Sequence, residues 1–387
     1  MLLLPRRYHY FSHELNREVV ELYWNTGLFN LAINLTYIFE PIFLYKLGYT
    51  LPQIMFFYLI VYITYAFLIL PITKITSRIG YKHAILISTI VYVFYWALLY
   101  QIKFYPILLF ITPILFGLQK CFFWPAYNAD ISVSNVRQQR GREVGVLFSV
   151  IELAAIFGPV LGGFISFQFG FPILFATAAF LMIASVYPLF QTPEIYTKHH
   201  FHFKNFWSIV KKYPYNFFGY WGYAEDLMLM SLWPIFMYLL IPQVFSIGAI
   251  ITFASIIAVM VMLYLGKLVD KFKQVPFLQI AAVFYGLTWL FRSFATGICS
   301  VISFDILTRL GKGTVGVPLL AQTFELGGEK GPDYAIAYAV FFEFSLAVGK
   351  ILTALIAIWL LNVTGNITNV FMIVGVFTML YALVRKK

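Results

Sequence analysis

Apolar runs about as long as a bilayer is thick recur along this whole sequence, and no other feature limits its fold as strongly. A helix needs ~20 mainly apolar residues to cross the hydrocarbon region. Separating the runs at charged or turn-rich breaks gives twelve, here called spans 1 to 12: roughly 22–46, 52–75, 84–102, 105–128, 144–168, 171–190, 216–240, 243–268, 276–297, 299–322, 335–361 and 365–384. The first is followed by many more, so it reads as a membrane span and not as a cleaved signal. Residues are 61% hydrophobic and 11% charged, with mean hydropathy +0.83. A soluble domain would be roughly one quarter charged, which excludes a globular cytosolic enzyme and a nucleic-acid-binding or disordered chain. Phe and Tyr number 42 and 27, as suits lipid-facing and interfacial positions. Cys121 and Cys299 lie far apart in apolar runs and provide no disulfide framework.

Lysine and arginine set the expected orientation, because they collect in cytoplasmic loops. One side carries Arg6, Arg7, Arg17, Lys74, Arg78 and Lys82, with similar groups in every later even-numbered break and in Arg385–Lys387; the other carries only Lys46 and Lys103. Both termini are therefore expected in the cytoplasm of a multi-pass cell-membrane protein. The net charge of +11 is mostly this asymmetry and not a partner surface.

The halves of the chain repeat. Pro41-Ile42-Phe43-Leu44-Tyr45 returns as Pro234-Ile235-Phe236-Met237-Tyr238 at an offset of 193. Ser77-Arg78 and Asp270-Lys271, and Pro125 and Pro318, share that offset. Glu152 and Gly158 return as Glu343 and Gly349 at an offset of 191. Several matches near one offset predict an all-α membrane protein of two pseudo-symmetric six-helix halves, 1–190 and 216–387, joined by a cytoplasmic linker, 191–215. Such internal repeats mark many transporters.

With this topology the sequence resembles the major facilitator superfamily of secondary transporters over essentially its whole length. That family carries G-x-x-x-D-[RK]-x-G-[RK]-[RK] between spans 2 and 3 and a weaker copy between spans 8 and 9. Here the first copy keeps Arg78, Gly80 and Lys82 but has Thr73 and Ser77 in place of the glycine and aspartate; the second keeps Gly266, Asp270 and Lys271. The resemblance implies a cytoplasmic latch at these residues. Span 5 is similar to the G-x8-G-x3-G-P-x2-G-G pattern of the drug/proton antiporter branch, with Gly145, Ala154, Gly158, Pro159, Gly162 and Gly163. Small residues four apart let helix backbones approach closely, so the pattern reads either as a mark of export or as a tight helix seam. The branch's span 4 arginine has no clear counterpart; Lys120 is the nearest basic residue.

Ionisable groups at bilayer depth cost ~2.5–3.5 kcal/mol each on insertion scales and usually face the bundle interior. Glu152, Asp226 and Glu343 are the candidates for proton coupling, each able to hold a proton away from water. On the alternative reading, Lys120, Arg309, Lys312 and Lys350 pair with these acids as permanent interhelical locks. Asp305, Arg309, Lys312 and Gly316 form one stripe on span 10. Arg292 reads as an interfacial residue snorkelling from the end of span 9. The family's cavity is lined chiefly by spans 1, 4, 7 and 10, which carries over to Asn30, Asn34, Tyr37, Lys120, Trp124, Asp226, Arg309 and Lys312 as cavity residues.

The histidines His199, His200 and His202 are expected to be solvated, and Asn366-Ile367-Thr368 fits a glycosylation pattern by outer-face position alone. No metal site, cofactor, phosphate-binding loop or nucleophile constellation is found, and enzymatic chemistry has no support. Three functions remain open: proton-coupled export of an amphipathic small molecule, favoured by span 5; symport of a polar or anionic solute such as a sugar or organic acid, favoured by Arg309 and Lys312; and a non-transporting scaffold or receptor. The expected partners are a small-molecule substrate, protons and the bilayer, with the protein a monomer.

Overall fold

The computed structural model describes residues 17–134, 140–191, 201–269, 274–328 and 332–385. Among them regular structure is helical throughout, as the bilayer requires: with no water to satisfy peptide groups, a chain crosses lipid as helices or as a closed barrel.

Each of the twelve apolar runs is a helical stretch. Span 1 is Arg17–Thr36 followed, after a turn at Tyr37 and Ile38, by Phe39–Lys46. Spans 2 to 6 are Leu51–Ile79, Tyr81–Gln101, Leu108–Ser134, Arg140–Gln168 and Gly170–Val186, the last continued by a 3₁₀ turn, Tyr187–Phe190. Span 7 is broken into Pro214–Gly219, Tyr220–Tyr223, Ala224–Met230 and Leu232–Leu240. Spans 8 to 12 are Val244–Val269, Gln274–Arg292, Ile298–Gly328, Pro332–Thr364 and Ile367–Met379. Eight helices are long and apolar enough to cross a membrane by length and composition alone, and those of spans 9 and 12 are shorter but apolar. The two exceptions have physical causes. Span 7 is interrupted twice, and span 10 carries Asp305, Arg309 and Lys312 along its middle.

Packing repeats with the sequence. In the first half, span 3 packs on span 4, span 1 on spans 5 and 6, span 3 on span 6, and span 2 on span 4. In the second half, span 9 packs on span 10, span 7 on spans 11 and 12, span 9 on span 12, and span 8 on span 10. Each of these contacts of one half has its mate six spans on. The halves meet along span 2 against span 11 and span 5 against span 8, which exchange under the same relation.

The glycines of span 5 make two of these seams. A side chain at Gly158 would strike Asn34, and one at Gly162 the backbone of Leu35, both on span 1. Gly163 faces the Val244 carbonyl, and Gly248 faces the Pro159 carbonyl across the seam between halves. There the Thr252 hydroxyl donates to the Ile156 carbonyl (2.6 Å). Farther out, Tyr45 and Tyr238 meet edge to face (6.4 Å), so the halves touch at the end of the bundle that bears Lys46. Gly145 lies in the same helix.

The linker is more than a polar connector. Phe203–Lys212 is an amphipathic helix with Phe206 and Ile209 buried, and Phe206 meets Phe344 of span 11 edge to face (5.6 Å).

Candidate functional site

Span 7 breaks at Ser231, and the break builds part of the site. The Met230 carbonyl, released from the helical ladder, accepts the Tyr58 hydroxyl from the other half (3.3 Å); a freed backbone carbonyl at this depth needs such a partner. One turn before the break, Asp226 accepts from Lys312 of span 10 on one oxygen (3.0 Å) and from Lys350 of span 11 on the other (2.7 Å). Lys350 also donates to the Tyr62 hydroxyl of span 2 (3.2 Å) and lies over that ring (4.8 Å to its centre). The Asp226 and Lys312 side chains keep 38% and 43% of their surface open, whereas Lys350 is buried. Glu225, about 100° round the helix, is buried and accepts from the hydroxyls of Tyr285 (2.6 Å) and Tyr381 (3.3 Å), with Lys312 at 3.9 Å.

A second ionic group lies within the second half. Asp305 accepts from Arg292 (2.7 Å), from Arg309 (2.7 Å) and from the Trp233 indole (3.1 Å). Arg292 is 0% exposed, with its guanidinium stacked near Trp233 and Trp289 (3.7 and 4.6 Å). This corrects the snorkelling expectation: Asp305 and two indoles give Arg292 an interior partner set, and its head does not need to reach the interface. Arg309 also lies within electrostatic reach of Tyr37 of span 1, in the other half.

Glu343 is a third type of site. It is buried, and it accepts from the Tyr65 hydroxyl (2.9 Å) and the Asn128 amide (3.4 Å), both in the first half. Among the described residues it has no cation within ion-pair distance. Lys350, one heptad on, points instead to Asp226. A buried carboxylate held only by neutral donors is much less well compensated than one held by a cation.

The eight expected cavity residues are all half-buried. The Asn30 and Asn34 amides donate to Thr26 and Asn30 carbonyls on their own helix (both 2.8 Å). Lys120 makes no ion pair among the described residues and lies over Phe116 (4.6 Å) and Tyr62 (5.7 Å); among those residues the interhelical lock of the alternative reading is not formed by Lys120. Trp124 meets Phe123 and Tyr127 edge to face. Glu152 differs from the dry pocket expected of it. It lies one turn beyond the Ile156–Thr252 bond, is exposed, and has no partner among the described residues.

At the latch, Gly80 turns the chain with φ +94°, a conformation that favours glycine. Arg78 is exposed, and Lys82 is buried 3.6 Å from Glu21 of span 1. An acid from span 1 thus meets the basic loop that lacks its own aspartate at Ser77. Gly266 is in the span 8 helix, while Asp270 and Lys271 lie outside the described residues.

Sequence reasoning missed Tyr62 and Tyr65, and it placed Glu40 near the outer end of span 1 without making it a site candidate. Glu40 is buried and accepts from the Tyr95 hydroxyl (2.8 Å) and the Trp96 indole (2.7 Å). The spacing of Tyr58, Tyr62 and Tyr65, at i, i+4 and i+7, was a usable signal for one polar helix face.

A bundle apolar outside and charged between two matching halves is a multi-pass membrane protein built around an internal polar site. The chain belongs to the Major Facilitator Superfamily, whose sequence pattern it matches over residues 22–342, and it is a transporter of that fold. No curated protein matches the sequence. Among solved structures, a D-xylose-proton symporter is 12% identical, with 94% of this chain and 96% of that one covered and a TM-score of 0.71. The nucleoside transporter NupG is 13% identical, with 95% and 98% covered and a TM-score of 0.70. The E. coli fucose:proton symporter FucP is 14% identical, with 94% and 97% covered and a TM-score of 0.62. At these identities the likeness is one of fold.

Proposed function

We propose that the protein is a proton-coupled symporter of a small polar solute, with Glu343 as the coupling carboxyl and alternating access between the two halves as the mechanism. The observation that carries this reading is the setting of Glu343: a buried acid of the second half whose hydrogen-bond partners among the described residues both belong to the first. When that carboxyl is charged, burial between the halves is unfavourable because among the described residues its hydrogen-bond donors are neutral and no cation lies within ion-pair distance; when it is protonated, burial is tolerated. Protonation and closure of the halves are thereby linked. Asp226, clamped by two lysines, is assigned to holding spans 7, 10 and 11 together.

Export of an amphipathic compound is the less supported direction. Its sequence basis is the glycine pattern of span 5, and Gly158, Gly162 and Gly163 have packing roles that any transport direction would need. Two of the similar structures are proton symporters, which lends the symport reading support from fold alone. With the Lys/Arg asymmetry, the reading puts both termini in the cytoplasm and the end of the bundle that bears Lys46 on the outer face of the cell membrane.

The test is reconstitution in liposomes loaded with a pH-sensitive dye, with sugars, nucleosides and organic acids added outside. One of these solutes should drive proton entry, and Glu343→Gln should abolish it while solute exchange continues. Proton entry that survives Glu343→Gln would overturn the assignment of the coupling carboxyl, and solute flux without proton entry would overturn symport.

A further inference from the structure

Lys120 stands out among the charged groups inside the bundle. Lys312 and Lys350 share Asp226, and Arg292 and Arg309 share Asp305. Lys120 alone of these five cations has no carboxylate within ion-pair distance among the described residues. The acids within electrostatic reach of it, Glu40 and Glu343, are each held by neutral donors. Its ammonium lies over Phe116, half-buried, in a setting that raises the demand for an anion.

The surroundings already show how an anion would be held. Tyr62 places its ring between the two halves with Lys120 5.7 Å and Lys350 4.8 Å from its centre. Half-exposed Asp226 takes one lysine on each oxygen, the two-point arrangement that a solute carboxylate would adopt. The rings of Phe116 and Tyr62 adjoin the ammonium, and Trp124 lies one turn on along the same helix. We infer that the transported solute is an organic monoanion, whose carboxylate binds Lys120 at Tyr62 and competes with Asp226 for Lys350. This rests on the transporter reading above and specifies its substrate class. One anion there also matches the charge of one proton carried on Glu343, so the loaded protein would move no net charge.

Binding is tested apart from transport. Purified protein at fixed pH is titrated with acetate, lactate and benzoate, with benzyl alcohol and benzylamine as neutral and cationic controls, and tryptophan fluorescence and thermal stability are followed. At least one monocarboxylate should bind saturably while the controls do not. Lys120→Gln should weaken it about tenfold or more, as expected for loss of a charge-assisted hydrogen bond, and Lys120→Arg should restore most of it. Asp226→Asn, if it folds, should tighten it by freeing Lys350. No saturable binding by any of the three acids, or equal binding by Lys120→Gln, overturns the inference. Proton entry driven by D-xylose or uridine and unaffected by Lys120→Gln would also overturn it while leaving proton coupling intact. Saturable carboxylate binding without proton movement would keep the anion site and remove the coupling.

Discussion

The Tyr65 hydroxyl of span 2 donates a 2.9 Å hydrogen bond to Glu343 of span 11, across the interface between the two halves. Glutamine at 343 can accept the same bond, so Glu343→Gln should change stability by less than about 1 kcal/mol. Glu343→Leu leaves the Tyr65 hydroxyl and the Asn128 amide without their acceptor and should cost about 1–3 kcal/mol. Thermal unfolding in detergent checks both. A large loss in the glutamine variant would mean that the charge itself stabilises the fold, contrary to the coupling role.

Asp305 neutralises Arg292, which has no exposed surface. Asp305→Asn should therefore cost about 3–5 kcal/mol, the penalty for removing one partner of a buried pair. Adding Arg292→Met should recover part of it, and a double-mutant cycle measures the coupling. Additive losses would show that the pair acts separately.

Gly248 lies on the Pro159 carbonyl at the seam between spans 5 and 8, towards the end of the bundle that bears Lys46. Gly248→Val should wedge spans 5 and 8 apart and shift the population towards a state open at that end. Cysteines replacing Tyr45 and Tyr238, whose rings meet in this structure, should cross-link readily in the parent and several-fold more slowly with Gly248→Val. Unchanged cross-linking would show that this seam does not move.

The linker helix gives a contrast between neighbours. Phe206 is fully buried against span 11 and Trp207 is exposed. Phe206→Ala should cost about 3–5 kcal/mol, whereas Trp207→Ala should fall within about 0.5 kcal/mol. Equal effects, read from thermal unfolding, would place the helix elsewhere than on span 11.

Twelve crossings and their two-fold repetition were readable from local sequence because the bilayer imposes a fixed length and an apolar composition on every segment. Span 10 kept its place in that count despite Asp305, Arg309 and Lys312, since its neighbours fixed the register. Pairing was not readable in the same way. Asp226, Lys312 and Lys350 come from three different spans, and only the packing of spans 7, 10 and 11 brings them within 3.0 Å. Glu152 and Glu343 occupy equivalent positions of the repeat, yet one is exposed near the seam with span 8 and the other buried against Tyr65. Periodicity says which face of a helix a residue occupies; it does not say what faces it. The sequence determined the bundle and the candidates for its charged interior, while the tertiary structure decided which charges are neutralised, because ion pairing is a property of distances between helices that are remote along the chain.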